Sequence, residues 1–167
     1  MEKSLQELEQ ILSREVEVHS SMIQTAGAFN KAIKGNDLPA LQQHSADQDR
    51  QICQIEKLEE RRVECVNELS GSLGLTPAAS RLQLMLEKLP EQWRPRFATV
   101  HTALKQKIAE LSRLNTSNRI LIEEALGTIG NTFSFLQQSN GKYAQYGARG
   151  KAEGSAASVI TLINRTA

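Results

Sequence analysis

Residues 97–136 read FATVHTALKQKIAELSRLNTSNRILIEEALGTIGNTFSFL. Phe97, His101, Leu104, Ile108, Leu111, Asn115, Asn118, Ile122, Ala125, Ile129, Thr132 and Leu136 follow one another at steps of four and three. At about 3.6 residues per turn, that alternation puts all of them on one helical face. Pro95 sits at the entry and suits a first turn, whereas a helix already under way there would be kinked. Asn140-Gly141 reads as the stop, so the spacing predicts a helix to about Ser139. At ~1.5 Å per residue it spans roughly 60–70 Å. Such a helix stands only if other helices cover its apolar face.

Those helices are present upstream. Leu5, Leu8, Leu12, Glu15, His19, Met22, Ala26, Phe29 and Ile33 form a second seam over residues 3–34, with Glu15 and His19 as polar interruptions. Gly35-Asn36-Asp37 stops that helix and caps the next, and Pro39 is tolerated in the new first turn. The next helix runs from about Leu38 to Ser70, with Leu41, Ile52, Ile55, Leu58, Val66 and Leu69 inward. Its middle, QQHSADQDRQ, is polar and predicts weak packing there. The connection is so short that these two helices must be antiparallel neighbours. Thr76-Pro77 predicts a short helix to about Leu89, before Pro90 and Trp93.

After Asn140 the pattern thins. Residues 141–154 hold four glycines and almost no large aliphatic side chain, which predicts a flexible segment. Ala156, Val159, Ile160 and Ile163 then fall at i, i+3, i+4 and i+7, the face of a short amphipathic helix that needs something to pack on. The expectation is an all-α fold: an elongated antiparallel bundle of three long helices over residues 1–140, with a short helix in the connection. A flexible tail, 141–167, carries the short amphipathic helix.

Composition narrows the function. In 167 residues there are 20 Lys and Arg against 19 Asp and Glu, a formal net charge of +1. That balance argues against a dedicated nucleic-acid binder. No apolar run approaches the ~20 residues of a membrane helix and no signal core follows Met1, so the expected location is cytoplasmic, without membrane insertion. Cys53 and Cys65 lack partners at metal-ligand spacing and are too far apart along one helix to pair, which predicts reduced thiols. Gly150-Lys151 invites comparison with a phosphate loop, but Gln145 stands where the first glycine belongs and Ala152 where a hydroxyl is required. His19 and His101 both fall on seams, so a cross-helix histidine site is the one enzymatic alternative. No nucleophile motif accompanies it, and no enzyme activity or cofactor is expected. Asn115 and Asn118 are polar residues at seam positions. Such residues either fix register or partner choice, or face water.

The segment 111–136 is similar to the hallmark of FlgN-type flagellar export chaperones. It carries Leu114, Asn115 and Asn118, then Leu121 and Ile122, then Asn131. Tyr146, Gly147 and Gly150 resemble the family's Tyr-Gly-x-x-Gly, Trp93 precedes the long helix, and Leu58, Glu59 and Arg62 match a Leu-Glu-x-x-Arg at the end of the second helix. The tail is longer and more apolar than the motif requires. The resemblance implies a cytoplasmic chaperone that holds hook-associated proteins (FlgK/FlgL-like) by their C-terminal helices, prevents premature assembly and delivers them to the flagellar type III export apparatus. The expected client surface is Asn115, Asn118, Ile122, Ile129, Leu136, Val159, Ile160 and Ile163. The resemblance ties the Tyr146 region to docking on an export gate component. The alternative is a structural coiled-coil scaffold with no client handover. The seams can close within one chain or against another, so a homodimer stays open.

Overall fold

The computed structural model describes residues 2–72 and 88–143, with side chains as far as residue 137. Among these residues there are three long helices and no strand: α1 Glu2–Gly35, α2 Leu38–Ser72 and α3 Arg94–Tyr143. The short connecting helix expected after Thr76 and the tail beyond Tyr143 lie outside the described residues; of the stretch before Pro90 only Lys88 and Leu89 are described. The chain divides into two units, Met1–Glu123 and Glu124–Ala167.

Two residues join α1 to α2. The amide of Asn36 donates to the Ile33 carbonyl (3.1 Å) and that of Asp37 to the Ala32 carbonyl (3.0 Å). This is the Schellman closure, in which the residue after the helix turns left-handed. Here that residue is Asn36, with φ 51°, while Gly35 stays helical. The adjacent glycine does not take the turn; asparagine tolerates the left-handed region. Asp37 then caps α2: its Oδ1 accepts from the Ala40 amide at 3.1 Å, and its carbonyl from Leu41 at 2.9 Å. Pro39 is the second residue of α2, where no intrahelical donor is lost.

Within the first unit the helices run up, down and up. Arg61 meets Glu7, and Gln51 meets Ser21 and Thr25, so α1 and α2 are antiparallel. Arg96 meets Glu9 and Asn118 meets Ala26, so α3 lies parallel to α1. The packed core gathers at one end of this unit. It joins Leu5, Leu8, Ile11 and Leu12 of α1 to Cys65, Val66 and Leu69 of α2, and to Leu89, Trp93 and Phe97. Trp93 closes the turn from Pro90 and accepts from the Phe97 amide through its carbonyl. It therefore stands just before α3, and Pro95 falls at the second helical position, where it needs no kink. The Trp93 and Phe97 rings lie 6.0 Å apart at 46°. The Arg96 guanidinium sits 4.7 Å over Trp93 while donating twice to Glu9, at 2.7 and 2.6 Å.

Away from this end the filling changes. From Leu38 to Glu64, α2 has no buried residue. The polar middle of α2 does pack weakly, and α1 presents the small Ala26 and Ala32 instead of leucines. Ile11, Val18 and Ala32 are buried in addition to the expected seam of α1, because a helix with two neighbours buries a wider arc than a single seam. At its other limit α3 continues to Tyr143, past the Asn140-Gly141 pair expected to stop it. A terminal glycine weakens a helix by about 1 kcal/mol and does not forbid one more turn.

Candidate functional surfaces

Three features stand outside the core. The first is a groove of about 530 Å³ in the Met1–Glu123 unit, lined by all three helices beside the polar stretch of α2. Met22 and Phe29 of α1, Ile52 of α2, and Leu111, Asn115 and Ile122 of α3 line it. Asn118 forms its floor and is 5% exposed. Its Nδ2 donates to the Ala26 carbonyl at 2.9 Å, and its Oδ1 accepts from Asn30 Nδ2 at 2.7 Å. Of the two readings of this seam asparagine, the structure selects register: Asn118 sets α3 against α1 at one position, since a one-turn slip strands buried polar atoms. Asn115, three residues earlier, is exposed and lines the groove mouth. His19 lies in a neighbouring groove with Leu111 and Asn115, its Nδ1 within 2.8 Å of the Glu15 carbonyl.

The second is a charge cluster between α1 and α2. Glu15 is 4% exposed, and its Oε1 is buried without a hydrogen-bond partner. The nearest cation, Arg62, stands 3.9 Å away from that oxygen and spends its donors on Glu59, with Nε at 2.7 Å from Oε2 and a second bond from Nη2 to Oε1. Burial pushes the Glu15 carboxyl up to about 7; Arg62 opposes this and Glu59 adds to it. The bond from Arg62 holds Glu59 below the usual carboxylate range. Sequence reading found Leu58, Glu59 and Arg62 as a motif and Glu15 as an interruption, but did not join them. Among the described residues no group of three or more His, Cys, Asp or Glu could hold a metal ion. Cys53 is exposed and Cys65 buried, both free, and burial raises the Cys65 thiol.

The third is the part of α3 in the second unit. Leu126, Ile129 and Phe133, at i, i+3 and i+7, are 62, 65 and 57% exposed. Leu136 shares their face and is also exposed, while Phe135 points the other way and is 70% exposed. Between Glu124 and Lys142 there is no charged residue. Gly127 and Gly130 lie in this stretch, and a Cβ at either would meet nothing within 4 Å. A face this apolar and this open is the kind of surface that marks a partner site. No helix among the described residues is long and apolar enough to cross a membrane.

The expected client residues thus separate. Asn118 is engaged inside the first unit, Asn115 and Ile122 line its groove, and Ile129 and Leu136 lie on the exposed face of the second unit. Tyr146, Val159, Ile160 and Ile163 lie outside the described residues. Ile52, Leu126 and Phe133 join the apolar surfaces although sequence reading did not assign them there. Comparison with known proteins gives one result. Residues 1–154 match the family model described as FlgN protein. No curated protein and no solved structure matches the chain.

Proposed function

The chain belongs to the FlgN family, a family of flagellar export chaperones, and on that premise we propose that it holds hook-associated proteins before export. The clients are FlgK/FlgL-like, bound by their C-terminal helices. The chaperone keeps them from assembling early in the cytoplasm and hands them to the type III export apparatus. The observation that carries this reading is the open face of Leu126, Ile129 and Phe133. An amphipathic helix that would otherwise self-assemble is shielded when its apolar side lies against such a face. Burying one Leu, Ile or Phe side chain contributes about 1.5–3 kcal/mol, a gross gain from which the cost of association and ordering is subtracted. The stretch from Ala125 to Gly141 offers no charge that docking must desolvate.

Ile129 and Leu136 belong to this face. Asn115 and Ile122 give the groove of the first unit further contacts, with Asn118 holding that groove in shape. Val159, Ile160 and Ile163 extend the grip on the client. Tyr146 is the anchor for an export gate component, because a tyrosine combines a large apolar area with a polar tip.

The test uses full-length protein and a purified C-terminal helix of a hook-associated protein from the same organism, titrated by calorimetry. Ile129→Asp should weaken binding at least tenfold with unchanged thermal stability. Equal affinity of the variant and the parent would remove the face from the reading. A second reading, a homodimer built on the same residues, draws on their coiled-coil-like spacing. Sedimentation of the free protein separates the two: a monomer at all concentrations leaves the face to clients.

A further inference from the structure

We infer that the proton on Glu15 latches the polar half of α2 against α1, so that losing it lets residues 38–61 part from the bundle while the leucine core stays closed. The carboxyl stands where the packing changes. Leu12, one turn before it, is the last leucine that α1 gives to the core. Beyond it, toward the turn at Asn36, α2 contributes no buried residue. There Gln51 bridges the helices, its Nε2 donating to the hydroxyls of Ser21 (2.8 Å) and Thr25 (3.0 Å). No ion pair joins α1 to α2 beyond Glu15 among the described residues. Parting residues 38–61 therefore exposes little apolar surface, and the bonds of Asn118 keep α1 on α3. Gln48 and Ile52 of that stretch form the α2 wall of the 530 Å³ groove, so the same proton governs how far the groove stands open.

In the closed form an ionised Glu15 has no adequate partner. Its Oε1 is buried and accepts no hydrogen bond, and Arg62 Nε, 3.9 Å away, is engaged with Glu59. A neutral carboxyl occupies such a place at far lower cost than a charged one. The other charged groups of this region do not help. On α2, Arg61 pairs with Glu7, and Lys57 and Glu60 line a groove of about 510 Å³ beside the pair. On α1, Arg14 pairs with Glu17 and His19 bonds the Glu15 carbonyl. Between Arg96, which meets Glu9, and Ser112, which shares a groove with His19, α3 carries His101, Lys105, Lys107 and Glu110, the last two paired. Of all these groups, Arg62 and Glu59 are the ones that act on the carboxyl, with burial the largest cause. Arg14 and Val18 of α1 and Leu58 of α2 also line the 510 Å³ groove, so a small parting of the helices hydrates the carboxylate.

The carboxyl lies at about 7 when closed, against an ordinary 4.5 when hydrated. Closure is thus favoured in full below pH 4.5 and is lost as pH rises through about 7. From pH 5 to pH 8 the opening constant should grow roughly 50–100-fold. Amide hydrogen exchange of the full-length chain, read by mass spectrometry and corrected for the intrinsic rate, measures this on residues 42–53. Comparison with Glu15→Gln at each pH cancels the contribution of every other titrating group. Parent and variant should agree within severalfold at pH 5, and residues 42–53 of the parent should exchange at least tenfold faster at pH 8. A ratio that is the same at both pH values overturns the latch. So does a change confined to residues 8–12, because Glu15 then meets water only in global unfolding. Amides 42–53 already unprotected at pH 5 overturn it as well, since nothing is then held closed.

A second variant tests the part played by Arg62. The Glu59 side chain is 49% exposed, so Glu59→Ala leaves the core intact and frees Arg62 to turn to Glu15. Measured against the same chain carrying Glu15→Gln, the rise in exchange between pH 5 and pH 8 should shrink at least threefold. An undiminished rise overturns the claim that the Arg62–Glu59 bond is what leaves Glu15 without a partner.

Discussion

Glu15→Gln should stabilise this protein at alkaline pH and do little at acid pH. In the folded chain burial raises the Glu15 carboxyl to about 7, against an ordinary value of 4.5. A carboxyl raised on folding binds its proton more tightly in the native state. Stability is therefore fully present below pH 4.5 and is lost as pH rises through about 7. That gap corresponds to about 3 kcal/mol at most. Glutamine keeps the shape and carries no charge at any pH. Its advantage should be under about 1 kcal/mol at pH 5 and grow by about 2–3 kcal/mol by pH 8. For a chain of this size that is a rise of about 5–10 °C in Tm at pH 8. The groups around Glu15 leave this difference intact. Arg62 and Glu59 face it from α2 and stay bonded to each other, His19 bonds its carbonyl on α1, and no charged group of α3 shifts it. Circular dichroism melts of both proteins at pH 5, 6, 7 and 8 make the measurement. An advantage that is the same at every pH, or a less stable variant at pH 8, refutes the account of Glu15 as an unpaired buried carboxylate.

Three further outcomes follow from the packing. Asn118→Ala should cost about 1–3 kcal/mol in urea unfolding, since the Ala26 carbonyl and Asn30 lose their partner. Phe97→Ala removes a fully buried ring from the cluster of large side chains around Leu8 and Leu69 and should cost about 3–5 kcal/mol by the same method. Gly127→Ala and Gly130→Ala should each stabilise the helix by about 0.5–1 kcal/mol, because their Cβ atoms meet nothing. A simultaneous loss of client affinity would show that a helix approaches closely there.

The three helices, the α1–α2 turn and the weak middle of α2 were legible because each rests on local chemistry: seam spacing, a cap, a short connection. The unbroken seam of α3 misled in one respect. Periodicity shows that a helix has an apolar face, but not that anything covers it, and past Asn118 the large residues of that face are exposed. The roles of Asn115 and Asn118 were indistinguishable in sequence; one is buried and the other exposed only because α1 passes at Ala26 and Asn30. Glu15 was visible as an interruption. Its unpaired state was not, because it depends on Arg62 turning to Glu59 instead. Placing Asn36 rather than Gly35 in the left-handed turn was beyond composition too, as both residues tolerate it.

The uneven core of the first unit has a kinetic meaning. Its large side chains clasp Leu5–Leu12, Cys65–Leu69 and Trp93–Phe97, while the Asn36 end is held by Ala26, Ala32, Asn118 and polar bridges. Opening the Asn36 end exposes little apolar surface and leaves the clasp shut. Amide protons of α1 should therefore exchange with solvent in a gradient, slowest at Leu8–Leu12 and faster toward Ile33. Strands of hydrogen bonds at the loose end would break and re-form many times for each global unfolding, so this bundle is hinged by its own composition.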